Sequence, residues 1–403
     1  MEKTRFHEVF RRIHTENNAK DSNIIVSEKG HPASADSPLR TALHSLHLKY
    51  HGKMVDFAGY HMPVQYADGI KTEHLHTRSH AGLFDVSHMG QIKINGNSAA
   101  LAIERLVTGD ILSLQNFQQR YTLLTNEQGG ITDDLMVTKI PEGLFVVVNA
   151  ACKQSDFDYI ESVLSPECEI KMLSNHALLA LQGPQAAALL GKINPAIAEL
   201  VFMQAGQFEL YGIPCFINRC GYTGEDGFEI SVENEHAEHI AEHLLESEEV
   251  RPVGLGARDS LRLEAGLCLY GHDIDETTTP VEAKLVWALA KKYRDTSVLA
   301  TFPGAEKILR QWQDGASKQL VGLRAEGKMP IREGVQLLNN EDTEIGHVSS
   351  GGFGPSFGGP VAMGYVHSKY TQSGTELHVN IRNRCHTIHV ADLPFVKHQY
   401  HKL

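Results

Sequence analysis

The run Cys220-Gly221-Tyr222-Thr223-Gly224-Glu225-Asp226-Gly227-Phe228-Glu229 packs three glycines, an aromatic hydroxyl and three carboxylates into one strand-turn-strand segment. Glycine clusters admit positive φ and let a ligand come close to the backbone. Phe228 to Val232 alternates apolar and polar residues, which predicts a strand that sets Glu229 beside the turn. A carboxylate fixed there suits a planar ligand edge carrying two adjacent N–H donors. Read alone, the segment is equally an ordinary hairpin.

A second glycine turn, Asn126 to Gly130, leads into Ile131-Thr132-Asp133-Asp134-Leu135. Strand neighbours point to opposite faces, so one aspartate can look into a cleft while the other supports the turn. Two solvated carboxylates on a hairpin are the plainer alternative. A third cluster, Gly254 to Glu264, reads as a glycine turn into a helix, with Arg258 at its mouth and Asp259 in its first turn. Arg258 and Arg262 are four apart and share a helical face; surface ion pairs on a capped helix would also account for them. His74, His76 and His80, and again His236, His239 and His243, raise the question of a metal. The second trio lies on one helical face, where neutral imidazoles can bind zinc. Glu235, Glu238 and Glu242 are interleaved with it, as on a solvated surface, and no metal is expected. The chain has no phosphate-cradling P-loop, no dinucleotide fingerprint after a strand and no nucleophile elbow.

The elements that position these residues follow from pattern. With 403 residues the chain has room for two or three domains. A net charge of −12 argues against a nucleic-acid or anionic-membrane partner, since phosphate contacts need a basic face. No apolar run is long enough for a helical membrane span. Six cysteines without a C-x-x-C pair fit a reducing compartment. Residues 1–37 are polar, lack a signal-peptide core and carry Glu2, Glu8, Glu16 and Asp21, against a mitochondrial leader. They read as a flexible extension with a short helix near Phe6 to Ile13, and a cytoplasmic location is expected.

From Leu39 onward strands and helices mix, with an internal echo. Strand Gln91 to Ile94 and helix Ser98 to Val107 are repeated by strand Leu178 to Leu181 and helix Gln185 to Lys192. Phe145 to Asn149 with helix Lys153 to Leu164 is repeated by Phe228 to Val232 with helix Glu235 to Leu245. Two related, interleaved α+β units over 38–315 are predicted. After Gly315, six short strands separated by turn signals predict a C-terminal β-barrel or jelly-roll-like domain over 316–403. The fold class is α+β.

Several segments recur together in one family. Lys53-Met54-Val55-Asp56-Phe57-Ala58-Gly59, Gly82 to Gly90, Gly129 to Leu135, Gly221 to Glu229, Gly254 to Glu264, Tyr270-Gly271-His272-Asp273-Ile274, Ser349 to Pro355 and Pro394-Phe395-Val396 stand in its order. From about Leu39 to the C-terminus the chain resembles the T-protein of the glycine cleavage system, a tetrahydrofolate-dependent aminomethyltransferase family. The resemblance implies a three-domain cloverleaf around a folate channel. It implies transfer of an aminomethyl group from the dihydrolipoyl arm of the lipoylated H-protein to tetrahydrofolate. Asp134 matches the family's catalytic aspartate, and Glu229 and Arg258 match residues that hold the pterin. Met89, Tyr121, Val147 and Tyr222 match the apolar and aromatic walls. Tyr400 matches a substrate-contacting tyrosine by its spacing from Pro394-Phe395-Val396. Tyr60 stands where the family often has tryptophan.

A folate-dependent demethylase on the same scaffold is the alternative enzyme. A non-catalytic folate-binding protein of iron–sulfur maturation is a third reading, weakened because its Lys-Gly-Cys-Tyr-x-Gly-Gln segment is missing. Lys291, Lys292 and Arg294 form a local basic patch on an acidic chain, a candidate surface for the carrier protein or simply a cationic helix end.

Overall fold

Two hydrophobic stripes on alternate-residue strands, each covered by amphipathic helices, account for most of the chain. The computed structural model describes residues 38–165, 167–295, 298–382 and 384–402. The expected extension over 1–37, with its helix near Phe6 to Ile13, lies outside the described residues. The chain enters through helix His44–Lys49, the antiparallel hairpin β1 (Lys53–Phe57) and β2 (Tyr60–Gln65), helix Ile70–Ser79 and strand β3 (Ala81–Asp85). Strands β4 (Gly90–Asn95), β5 (Gln119–Thr125), β6 (Ile131–Ile140), β7 (Gly143–Val148) and β8 (Glu169–Met172) form a five-stranded sheet in the order β5-β6-β7-β4-β8. Strands β9 (His176–Gln182), β10 (Ala205–Leu210), β11 (Ile213–Asn218), β12 (Gly227–Glu233) and β13 (Val250–Pro252) form the second sheet. Its order is β10-β11-β12-β9-β3-β13, the same arrangement with β3 inserted between β9 and β13. The echo in the sequence is thus a repeated sheet topology. The interleaving has a concrete form, an N-terminal strand completing the later sheet.

The repeated helices sit at Ala99–Glu104 and Lys153–Leu164 in the first unit, and at Ala186–Ile193 and Asn234–Leu245 in the second. The first is shorter than predicted because Val107 turns to bridge Leu124. One core lies between the first sheet and its helices, with Ile92, Ile94, Leu135, Val137, Val146 and Ile160. Another lies beneath the second sheet, with Leu179, Leu181, Phe228, Ile230, Val232 and Ile240. The opposite faces of the two sheets pack on each other through Phe84, Phe145, Val147, Leu178 and Ala180. The result is four layers, helix-sheet-sheet-helix, with a joint down the middle. That joint explains why β12 does not alternate between core and solvent as expected: Gly227 to Val232 are all buried, because both faces are covered.

After helix Ala305–Asp314, strands β14 (Lys318–Ala325), β15 (Gln336–Leu338), β16 (Glu344–Gly354), β17 (Gly359–His367), β18 (Glu376–Ile381) and β19 (Arg384–Ala391) close a six-stranded barrel around Val321, Leu323, Val348, Ala362, Val379 and Ile388. Among the described residues no helix is long and apolar enough to cross a membrane.

Helix Leu255–Glu264 ties these parts together. Arg262 is buried and donates to Asp259 Oδ1 at 3.0 Å, Asp273 Oδ2 at 2.7 Å and Ser350 Oγ at 2.9 Å. Ser349 and Ser350 both donate to Asp273, at 2.5 and 2.8 Å. The alternative of surface ion pairs thus gives way to a buried network that fixes the barrel's β16 to the helix. Glu264, fully buried, pairs with His74 at 3.0 Å and Arg78 at 3.1 Å, and accepts from the backbone N–H groups of Ser356 and Phe357 at 2.8 and 3.0 Å. Removing one partner of a buried pair leaves the other charge stranded. Arg262→Ala should cost about 3–5 kcal/mol in urea or guanidinium unfolding. A loss under about 1 kcal/mol would mean that the pair contributes no more than a surface bridge.

Candidate functional site

Register decides which face each side chain takes. On β6, Asp133 shares its row with Leu135 and Val137, which face the helices, whereas Asp134 shares the inner row with Met136. Asp134 lies opposite Leu123 on β5, so Tyr121, two residues along, is its diagonal neighbour on the same face. The Tyr121 phenol lies beside the Asp134 carboxylate and favours its charged form. The outer side of the Tyr121 ring stacks on the exposed Trp287, with centroids 5.0 Å apart. Val147 pairs with Met136 on the neighbouring strand, and Met89 packs against the same inter-sheet cluster.

Asn149, just past β7, holds both aspartates. Its side-chain amide donates to Asp133 Oδ1 at 2.9 Å and to Asp134 Oδ1 at 2.8 Å, and its backbone N–H donates to Asp133 Oδ2 at 3.0 Å. Asp133 does not support the glycine turn as expected. Asn126 does that, accepting from the N–H groups of Gln128 and Gly130 at 3.0 and 2.9 Å. Asp133 instead points outward, fully buried, at Asp156 of helix Lys153–Leu164. Burial, and the Asp133 carboxyl beside it, push the pKa of Asp134 up to about 7, against the donors Tyr121 and Asn149.

The facing wall comes from the second sheet. Glu229 on β12 lies opposite Asn218 on β11, with the buried Cys220 thiol close to its carboxylate. Burial raises the pKa of Glu229, partly offset by the nearby Arg258 guanidinium. Arg258, on the helix mouth as predicted, lies 4.7 Å over the Tyr222 ring, an ordinary cation–π distance. The Tyr222 hydroxyl donates to the Cys268 carbonyl oxygen. Polar side chains stitch the two walls: Ser231 donates to Gln91 Oε1 at 2.5 Å, and Thr138 to Asn218 Oδ1 at 3.0 Å.

The glycines of the turn serve this construction in a way not foreseen. A Cβ on Gly221 or Gly227 would meet the Gln182 side chain at 1.8 or 2.5 Å. Gln182 is buried there, donating to the Cys220 carbonyl at 2.9 Å and accepting from Thr223 Oγ1 at 2.9 Å. Only Gly224 takes positive φ, at +81°. Tyr400 arrives from the other end of the chain. The C-terminal tail is pinned by Gln399 N–H to Gly224 O at 2.8 Å, and Tyr400 stacks on Phe202 at 4.1 Å. Burial and the neighbouring Cys220 push its phenol up to about 12.

Asp134, Tyr121, Val147 and Met89 thus lie on or beside the first sheet, Glu229, Tyr222 and Arg258 on or beside the second, and Tyr400 on the C-terminal tail. Asn149, Asp156 and Trp287, and the place of the Cys220 thiol, escaped the sequence reading, because nothing local marks a strand-end asparagine or a buried aspartate on a helix. The basic patch is partly neutralised within the chain. Lys292 pairs with Glu104 and lies 3.8 Å from Asp110, while Arg294 stacks on Trp312 at 5.2 Å, so two of its three cations are engaged within the chain. His239 and His243 pack ring to ring at 4.1 Å, with His243 Nδ1 donating to the His239 carbonyl at 2.8 Å. Tyr60, in place of a tryptophan, accepts from Lys153 Nζ at 2.6 Å.

Comparison with known proteins places this architecture among the transferases. Residues 43–293 match the GCVT N-terminal domain, and residues 318–397 the glycine cleavage T-protein C-terminal barrel domain. The chain belongs to the glycine cleavage T-protein family. It is 47% identical over 373 residues to the mitochondrial aminomethyltransferase of Homo sapiens, covering 90% of this chain and 91% of that protein. It is 40% identical over 398 residues to the mitochondrial aminomethyltransferase of Dictyostelium discoideum, covering 94% and 98%. The crystal structure of glycine cleavage system aminomethyltransferase T from Bartonella henselae superposes with a TM-score of 0.86 at 46% identity, covering 91% of this chain and all of that one.

The raised Asp134 has a measurable cost. Between about pH 4 and 7 the folded protein keeps a proton that the unfolded chain has released, so stability falls as pH rises through that window. Asp134→Asn removes the dependence and should be more stable than the parent by on the order of 1–3 kcal/mol at about pH 8, with the gap closing near pH 4. A gap that stays constant across this range would show that Asp134 titrates normally.

Proposed function

We propose that this chain is the aminomethyltransferase of the glycine cleavage system. The aminomethyl group on the dihydrolipoyl arm of lipoylated H-protein passes to tetrahydrofolate, giving 5,10-methylenetetrahydrofolate, ammonia and dihydrolipoyl H-protein. The observation that carries the site assignment is the joint itself, with an acid–base carboxylate on one sheet, a buried carboxylate on the other and a guanidinium from the adjoining helix Leu255–Glu264. The donor set fits a reduced pterin: Glu229 accepts the ring's paired N–H donors, and Arg258 supplies a cation beside it. Met89, Tyr121, Val147 and Tyr222 provide flat apolar walls, and Tyr400 closes the rim.

Tetrahydrofolate supplies the accepting nitrogen when bound. Positive charge grows on the migrating carbon as its bond to sulfur or nitrogen breaks, and ionised Asp134 stabilises it electrostatically. With its pKa near 7, Asp134 also exchanges a proton at neutral pH. Asn149 orients it by donating to its carboxylate, with the Tyr121 phenol alongside. Six free cysteines, five of them buried, suit a reducing compartment. The cytoplasm stays our reading, beside relatives named mitochondrial, and cell fractionation tests it.

The test uses purified protein, tetrahydrofolate and aminomethyl-loaded H-protein. Methylenetetrahydrofolate and ammonia should form in equal amounts, and Asp134→Asn should lower kcat by about 10²–10⁴-fold with folate affinity little changed. Glu229→Gln should do the reverse, raising KM for folate with a smaller effect on kcat. Near-normal turnover in Asp134→Asn would remove that residue from the chemistry. Folate binding without turnover would leave the demethylase reading, tested with methylated amines.

A further inference from the structure

Residues 86–89 cross from the second sheet to the first, since β3 lies in one and β4 in the other. The crossing carries Met89, a proposed wall of the pterin. At its start Asp85 is buried and anchored: Thr41 Oγ1 donates to it at 2.6 Å, His47 Nε2 lies at 2.8 Å and the Ser87 N–H donates at 2.9 Å. At its end the buried His88 ring stands edge-on to Phe57, with centroids 5.5 Å apart, and among the described residues nothing bonds to its Nδ1. The polar anchor there is on the main chain: Lys153 Nζ donates to the His88 carbonyl oxygen at 3.1 Å. The same ammonium donates to the Tyr60 hydroxyl at 2.6 Å and lies 4.4 Å from the centroid of that ring.

This lysine stands against its own helix. It is the first residue of helix Lys153–Leu164, where unpaired N–H groups and the dipole disfavour a positive charge. A residue at odds with its local structure points to a contact made elsewhere. Its stem has no slack, since a Cβ on Gly90 at the start of β4 would meet Lys153 Cβ at 2.6 Å. Tyr60 closes the tip of the β1–β2 hairpin, a two-stranded sheet of its own, beside a tight turn in which Ala58 and Gly59 take φ of +48° and +80°. Toward its base β2 is seated on helix Leu255–Glu264: a Cβ on Gly254 would meet the Val64 carbonyl carbon at 2.5 Å. An isolated hairpin has little stability, so its position is set by what holds its tip and base. We propose that Lys153 is a positioning residue for folate. Its ammonium clamps the His88 carbonyl and the Tyr60 hydroxyl together, and so holds Met89 and the hairpin tip at one spacing beside the pterin. Lys153 touches no reacting atom; it acts through Met89.

This inference rests on folate as the ligand of the joint, and one arm of the test is independent of it. Lys153→Met keeps the stem on Gly90 and removes the charge. Tetrahydrofolate affinity by calorimetry should fall about tenfold, the weight of one charge-assisted hydrogen bond. KM for folate should rise with it, while kcat stays within about twofold. Methylammonium chloride should restore binding to Lys153→Ala, where sodium chloride of equal ionic strength should not. Unchanged affinity in Lys153→Met overturns the proposal, and so does a fall in kcat with KM unmoved. The second arm needs no ligand. The Met89 amide, which donates to the Val86 carbonyl at 3.0 Å, should exchange its hydrogen faster in Lys153→Met while the amides of β7 keep their protection. Met89 exchange equal to that of the parent would sink the clamp, even if the parent bound no folate and the functional reading itself failed.

Discussion

Putting Arg258, Arg262 and Glu264 on one ten-residue helix obliges three bodies to meet there. Arg262 and Glu264 are out of water, and a buried charge is tolerable only when nearly all its hydrogen-bonding capacity is met. Their partners come from the barrel (Ser350), from its connecting loop (Asp273) and from helix Ile70–Ser79 (His74 and Arg78). The barrel's placement is set by polar matching at these groups together with apolar packing, in which Leu320, Val361 and Met363 share a core with Leu263 and Ile274. Arg258, one turn before Arg262, inherits that fixed frame and is held over Tyr222. The placement of the site's cation and the docking of the barrel therefore have one cause.

A joint between two sheets is an uncommon place for acids. Most of it is ordinary apolar packing, with Phe84, Phe145 and Leu178 at its centre. The polar residues gather at one end, where β6, β7 and β12 terminate or begin beside loops. There the low dielectric that makes Asp134 and Glu229 hard to ionise also strengthens each hydrogen bond that reaches them. Asn149 supplies such a bond to Asp134 from within the protein, and Tyr121 and Cys220 lie beside the two carboxyls, which pre-organises the wall before anything binds.

Much of this was legible in the sequence, for identifiable reasons. Strand periodicity and the repeated strand-helix pairs gave both sheets and their shared topology. Turn residues gave the six barrel strands, with Gln336 to Leu338 matching to the residue. The adjacent aspartates and the Glu229 strand were visible because a strand's two faces are a matter of parity. Parity alone does not say which face is covered, and so the role of Asp133 and the burial of both faces of β12 were missed. The glycine turn was read as room for a ligand, whereas Gly221 and Gly227 make room for Gln182, a residue some forty positions away that no local pattern connects to them. Long-range partners misled the charge reading in the same way: Lys292 looked free until Glu104 was brought alongside it.

The insertion of β3 between β9 and β13 constrains how the polypeptide comes into being. Pro252 must leave the ribosome before the strand Ala81–Asp85 can acquire both of its neighbours. The first sheet has no such debt, since all five of its strands are made by Met172. During synthesis, at about 5–20 residues per second, the earlier unit can assemble while five consecutive buried positions just upstream wait as an unpaired apolar edge. Such an edge is a template for wrong pairing. Once Gln182 is made β9 can cover one side of that strand, and the other side stays open until Pro252.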